Sequence, residues 1–135
     1  GGNWRLDMLA EVNAQRAQVG VKALDLCGNL NSSAQDYASL MASHDHYGHV
    51  GPDGSQPWER MKDHGYNWRD AAENIAGGYA DVSTVMAGWH ESAGHYANIV
   101  NPDYTDVGFG SSNDPDSTYT NYWVQDFGSG GSCTD

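Results

Sequence analysis

Six histidines are many for 135 residues, and three of them fall in one short run, His44-Asp45-His46-Tyr47-Gly48-His49. Imidazole changes charge near neutral pH and is a common ligand of transition metals, so this run is a first candidate for chemistry. His44 and His46 would share a face on a strand but diverge on a helix. They can equally be read as polar residues closing a helix, where imidazole suits the negative end of the dipole. His49 differs, because the turn segment Gly51-Pro52-Asp53-Gly54 follows closely and would hold its side chain in one direction. Glu73 lies in Ala72-Glu73-Asn74-Ile75-Ala76, a setting for a carboxylate held partly out of water, which needs a partner. His95 follows Gly94, just past a helical stretch that ends around Trp89 to Ser92. Two neutral imidazoles and one carboxylate around an open position are the donor set of a catalytic zinc, and nitrogen-oxygen ligation of this kind suits other divalent metals too. Spacing alone does not bring His49, Glu73 and His95 together, and the same groups could form a hydrogen-bonded buried network with no metal.

A hydrolase could be built from the same residues. In a metal form, Glu91 is the nearest general base for a metal-bound water. In a serine form, Ser92, three residues before His95, is the nucleophile and Glu73 orients the imidazole. Neither a Gly-x-Ser-x-Gly elbow nor a His-Glu-x-x-His helix occurs in the chain. A module acting only through its exterior would leave all these residues dispensable.

The elements that must carry these groups can be read from periodicity. Trp4, Met8, Leu9 and Val12 recur at helical spacing up to about Val19, and Gly20 is placed to stop that helix. Leu30, Ala34, Tyr37, Ala38 and Met41 form a second helical stripe, with Asn29, Asn31 and Ser32 available as N-caps and an end near the histidine run. A short third helix is predicted from Ser55 to Gly65, with Pro57 in its first turn. Asp81 caps a fourth, striped by Val82, Val85, Met86 and Trp89. Beyond Pro102 the period falls to two. Val107 and Phe109 alternate with glycines, Ser111 to Asp116 is turn-rich, and Tyr122 to Phe127 makes a second strand with Trp123, Gln125 and Phe127 on one face. Helices first and a hairpin last indicate an α+β fold, a small antiparallel sheet covered by helices, in a single domain over residues 1–135. Trp58, Trp89 and Trp123 fall on stripes that fit the core, which leaves Trp68 as the candidate exposed aromatic.

Composition limits the partners. Eighteen acidic residues against six basic ones give a net charge of -12, which disfavours nucleic acid and anionic lipid and favours a monomer. With a mean hydropathy of -0.66 and no long apolar run, no membrane span is expected. Fourteen of the acids are Asp, short hard-oxygen donors that suit calcium or a salty medium, or simply form a solvated acidic face. No basic-then-apolar leader precedes Gly1-Gly2-Asn3-Trp4, as in a mature secreted product or a trimmed piece. The two cysteines, Cys27 and Cys133, would tie down the tail if paired and would favour an oxidising compartment.

Several ordered segments resemble one family. They are Asn13-Ala14-Gln15-Arg16, Ala34-Gln35-Asp36-Tyr37-Ala38, Gly48-His49-Val50-Gly51-Pro52-Asp53-Gly54, Arg60-Met61 to Gly65-Tyr66, Glu73-Asn74-Ile75-Ala76, Trp89-His90-Glu91-Ser92-Ala93-Gly94-His95-Tyr96-Ala97-Asn98-Ile99, Asn101-Pro102, Val107-Gly108-Phe109-Gly110 and Tyr122-Trp123-Val124-Gln125-Asp126-Phe127-Gly128. Together they resemble the CAP superfamily (cysteine-rich secretory, antigen 5 and pathogenesis-related class 1 proteins), in its compact prokaryotic-type SCP-like extracellular form. The resemblance implies a three-layer α-β-α sandwich, secretion, and a central cleft where two histidines and two glutamates hold a divalent cation such as zinc. His49, Glu73 and His95 match the first histidine, the first glutamate and the Gly-His-Tyr histidine. The second glutamate falls where this chain has Ser92. The nearest acid, Glu91, is one residue off, which at about 100° per residue turns it toward solvent and leaves three protein ligands. Family members bind sterols and fatty acids, so the ligand expected here is a small lipophile, a peptide or an extracellular partner. Cys27 and Cys133 match none of the disulfides of the animal and plant members, and their cysteine-rich extensions are absent.

Overall fold

A computed structural model describes residues 3–134, so Gly1, Gly2 and Asp135 lie outside it. The elements are α1 (Trp4–Gln18), β1 (Asp25–Leu26), α2 (Gly28–Ser43), α3 (Pro57–Asp63), β2 (Asp70–Gly77), α4 (Val82–His90), α5 (Ala93–Ile99), β3 (Asp106–Asn113) and β4 (Asn121–Ser129). The sheet order is β1-β3-β4-β2, with β1 parallel to β3 and the other pairs antiparallel. Helices cover both faces. On one side α2 packs Ala34, Tyr37, Ala38 and Met41 on Ile75, Tyr122 and Val124. On the other, Met8 and Val12 of α1, Val85, Met86 and Trp89 of α4, and Ile99 of α5 meet Val107, Phe109, Trp123 and Phe127. The expected α-β-α sandwich and the β3–β4 hairpin are present, and alternation along β4 places Trp123 and Phe127 together as predicted.

β3 owes its glycines to α2. Val107 and Phe109 face the α1 layer, so Gly108 and Gly110 face α2. There a Cβ would stand 2.1 Å from the Leu30 carbonyl carbon and 2.2 Å from the Ala34 carbonyl oxygen. The helix backbone therefore lies directly on the strand backbone. The outer edge of β3 is closed by side chains in place of a strand. Asn31 Oδ1 accepts from the Phe109 N–H (2.9 Å), Arg5 donates to the Phe109 carbonyl (2.8 Å), and the Gln35 amide donates to the Ser111 carbonyl and accepts from its N–H (2.8 and 3.2 Å).

Those contacts explain a departure from expectation. α2 begins two to five residues ahead of the expected caps, with Cys27 at its N-cap and the Cys27 carbonyl accepting from the Asn31 N–H (2.8 Å). Asn31 is spent on β3, and Asn29 accepts from the Thr134 N–H and hydroxyl, both at 3.0 Å, while donating to the His64 carbonyl (3.0 Å). Neither caps the helix. α3 is shorter than expected; Glu59 accepts from the Gln56 N–H (2.8 Å) at its start. Three elements carried too little signal to be foreseen: the two-residue β1, the Ala-rich β2, and α5, which is short and contains Gly94. The tryptophan assignment also inverts at two positions. Trp58 is 44% exposed, whereas Trp68 is half-buried, donates to the Trp58 carbonyl (2.8 Å) and lies under the Lys62 ammonium at 4.6 Å. With only seven residues, α3 points its core side through Pro57, Arg60 and Met61, and Trp58 is turned outward.

Cys27 and Cys133 are disulfide-bonded across 106 positions, fastening the tail beside the start of α2. Closing such a loop is worth about 4–5 kcal/mol in the chain-entropy account. Cys133→Ser should therefore lower the unfolding free energy by about 2–5 kcal/mol in urea titrations. Two glycine substitutions should move stability in opposite directions. Gly110→Ala forces backbone against backbone and should cost about 1–3 kcal/mol or more. Gly94→Ala, which meets nothing within 4 Å in the first turn of α5, should add up to about 0.5 kcal/mol.

Candidate functional site

β2 lies at one edge of the sheet and sends successive side chains to opposite faces. Glu73 points to the α2 face and is buried, paired in register with Asp126 of β4. Arg60, from α3, places Nη2 at 3.2 Å from each Glu73 oxygen. The same guanidinium donates to the carbonyls of His49 (2.9 Å) and Ser55 (2.8 Å), and lies 3.5 Å from the centre of the Tyr37 ring. Tyr37 in turn donates its hydroxyl to the Gly48 carbonyl. The loop carrying His49 is thus held from below by one buried cation.

Asp126 is enclosed completely, opposite a carboxylate already matched to Arg60. Two ionised acids there would face one guanidinium. Burial first, then the Glu73 charge, raise the Asp126 carboxyl well above the usual carboxylate range; burial raises Glu73 as well, but there the Arg60 charge works against it. Asp126 is therefore the protonated member of the pair, and neither of its oxygens has a hydrogen-bond partner among the described residues. This leaves one negative charge on the acid pair and one positive charge on Arg60.

His49 lies against this pair, its side chain 49% exposed, with Nδ1 at 3.0 Å from Glu73 Oε1. An ionised carboxylate can only accept, so Nδ1–H is the donor. Burial and, after it, the Arg60 charge hold the imidazole below the ordinary histidine range, so it is neutral near pH 7. Asn74 goes to the other face and organises α5. Its amide donates to the His95 carbonyl (3.1 Å) and to Gln125 Oε1 (3.1 Å), and its oxygen accepts from Asn98 (2.8 Å). His95 is lowered by burial and by His49, which lies close enough for its charge to count. Its Nδ1 shares a hydrogen bond with Ser92 Oγ (2.8 Å). Through Glu73 and Asn74, one strand positions both histidines.

The expected set is only partly assembled. His49 and Glu73 meet, while His95 bonds Ser92, and the two histidines border separate cavities along β2. One, of about 380 Å³, includes His49, Pro57, Trp58, Ala72, Glu73 and Asn98. The other, of about 250 Å³, includes His95, Ser92, Trp89, Tyr47 and Tyr79. Glu91 closes the C-terminus of α4 and is exposed. His44 Nδ1 bonds the Leu40 carbonyl (3.2 Å), as the helix-end reading expects, and His46 bonds the Val50 carbonyl (2.6 Å). Among the described residues no group of three or more His, Cys, Asp or Glu side chains is placed to hold a metal ion, at the cleft or on the acidic surface. Glu73 does not fit the ligand role expected of it, because both its oxygens face a guanidinium and its remaining contacts are His49 and Asp126. It acts behind His49. The residues sequence reasoning missed are Arg60, Asp126 and Tyr37. An acid inside the apolar strand Tyr122 to Phe127 was the one signal for Asp126.

Two measurements follow from the charge assignment. Because folded Asp126 holds a proton that the unfolded chain releases above about pH 4, stability falls as pH rises from there toward the folded pKa. Asp126→Asn should flatten that slope in urea titrations between acidic and neutral pH. Arg60→Ala should cost about 3–5 kcal/mol by leaving Glu73 as a buried charge, and adding Glu73→Gln should recover part of the loss.

Residues 9–127 match the model of the cysteine-rich secretory protein family, CAP. The chain is similar to YkwD, an uncharacterized protein of Bacillus subtilis (strain 168), with 35% identity over 98 residues, covering 73% of this chain and 38% of that protein. Its fold is similar to that of an extracellular protein containing a SCP domain from Bacillus anthracis, with a TM-score of 0.83 at 22% identity over 93% of this chain and 40% of that one. It is also similar to an outer surface protein of Borrelia burgdorferi, with a TM-score of 0.80 at 21% identity over 91% of this chain and 90% of that one. The chain thus spans well under half the length of YkwD and of the Bacillus anthracis protein. With the sandwich and the strand-centred site described, and a family match covering most of the residues, the chain belongs to the CAP family.

Proposed function

We propose that this domain works outside the cell as a binding module, and that its ligand is a peptide segment lying in the groove beside His49. The observation that carries this reading is the groove of about 380 Å³ between α3 and α5, with apolar walls from Pro57, Trp58, Ala71 and Ala72 and the neutral His49 imidazole at its side. Trp58 is exposed at the wall of this groove, and an indole at a groove is a frequent anchor for a polypeptide partner. The disulfide and the extracellular relative support a location outside the cell, and among the described residues no helix is long and apolar enough to cross a membrane. Were a zinc-class ion bound, the imidazoles of His49 and His95 would be its donors, with Glu73 orienting His49 from behind. Such an ion would supply a positive centre for a ligand's oxygen atoms, and no step is assigned to it.

The Ser92–His95 hydrogen bond favours a second reading, a serine-type hydrolase, but Glu73 does not reach His95 to orient it. Displayed random peptides should be enriched on the wild-type domain and lose about tenfold or more in affinity with Trp58→Ala. Absence of enrichment overturns the binding reading. Turnover of a nitrophenyl ester that Ser92→Ala abolishes would move the assignment to the hydrolase.

A further inference from the structure

The two edges of the sheet are treated differently. Along β3 the outward peptide groups of Phe109 and Ser111 are all occupied by Arg5, Asn31 and Gln35. Along β2 the Gly78 N–H donates to the Asn121 carbonyl (2.9 Å), so the even-numbered residues pair with β4, and Ala71, Glu73, Ile75 and Gly77 turn their N–H and C=O groups away from the sheet. The Ile75 carbonyl shows this directly, since it accepts from Tyr47 (3.3 Å) and Trp89 (3.1 Å), neither of which belongs to the sheet. Among the described residues nothing comparable covers Ala71 and Glu73, and both border the groove under Trp58.

An uncovered stretch of strand edge is a template for another strand, and proteins ordinarily block it, as this chain does along β3. Here the open stretch lies along an apolar groove with an exposed indole. Resting on the peptide-binding reading, we propose that an extended segment of a partner protein adds to the sheet as a strand beside β2, bonding the peptide groups of Ala71 and Glu73. Its alternate side chains lie toward Trp58 and Pro57 on one side and toward Asn98 on the other. The net charge of -12 selects a segment carrying basic residues. The edge available is short, because Tyr47 and Trp89 close it at Ile75, so the main-chain pairing spans Ala71 to Glu73 and the groove walls supply the remaining contact.

The test uses a short alternating lysine–valine peptide in three forms: unmodified, and N-methylated on one or the other alternate set of backbone nitrogens. Strand addition turns one set toward β2 and the other toward solvent. The expected result is a Trp58-dependent fluorescence change with the unmodified peptide, a loss of about tenfold or more in affinity for one methylated form only, and about tenfold slower amide exchange at Ala71 and Glu73. Ala71→Pro removes an outward N–H without touching the β4 ladder, which an edge strand tolerates, and should weaken the unmodified peptide to the level of the affected methylated form. Equal binding of both methylated forms, with exchange at Ala71 and Glu73 unchanged, overturns strand addition and leaves groove binding standing. If this peptide fails to bind while displayed peptides still require Trp58, strand addition by a basic segment is overturned. If neither binds, the groove reading falls with it.

Discussion

The buried contact between Arg60 and Glu73 is the constraint on which the site depends. A carboxylate enclosed beneath a sheet edge is expensive unless a cation and further hydrogen bonds satisfy it. Arg60 meets that demand and extends it, because Nη2 also donates to the His49 carbonyl and Nη1 to the Ser55 carbonyl. Neutralising one charge thus fixes the course of the loop that carries the first histidine. The second acid, Asp126, can sit across from Glu73 only as the neutral partner. One proton kept on Asp126 lets two carboxyls occupy adjacent strands above a single guanidinium.

The arrangement makes β2 a strand with two duties. Glu73 sets the tautomer of His49, leaving its Nε2 without a protein partner among the described residues, and Asn74 ties down the helix that bears His95. Both imidazoles are held neutral by burial, with Arg60 acting further on one and its fellow histidine on the other. Neutral rings beside an apolar groove suit recognition by hydrogen bonding or by a metal, and the guanidinium behind Glu73 argues against a carboxylate ligand in the same shell. Adjacent residues with opposite side-chain directions explain why an acid and an amide stand next to each other in this strand.

Much of the scaffold was legible because its signals are local. The stripe of α2, the Asp81 cap of α4 and the period-two pattern of β3 and β4 each arise from contacts that repeat along one element. The failures have a common cause. Asn29 and Asn31 look like caps, yet their amides serve the tail and β3; Trp58 falls on an apparent stripe, yet α3 is too short and too rotated to bury it. β2 is rich in alanine and buried along much of its length, so it lacks both strong strand propensity and clean alternation.

The sequence by itself determined the class of fold, the family and the identity of His49, Glu73 and His95 as residues of interest, since those follow from periodicity, composition and ordered motifs. Only the tertiary structure decided what each one does. Charge partners come from distant segments: Arg60 is 13 positions from Glu73, and Asp126 reaches it only through strand register. Whether a carboxylate binds a metal, an imidazole or a guanidinium is a question of which group lies within about 3 Å of it in space, and no spacing along the chain contains that information.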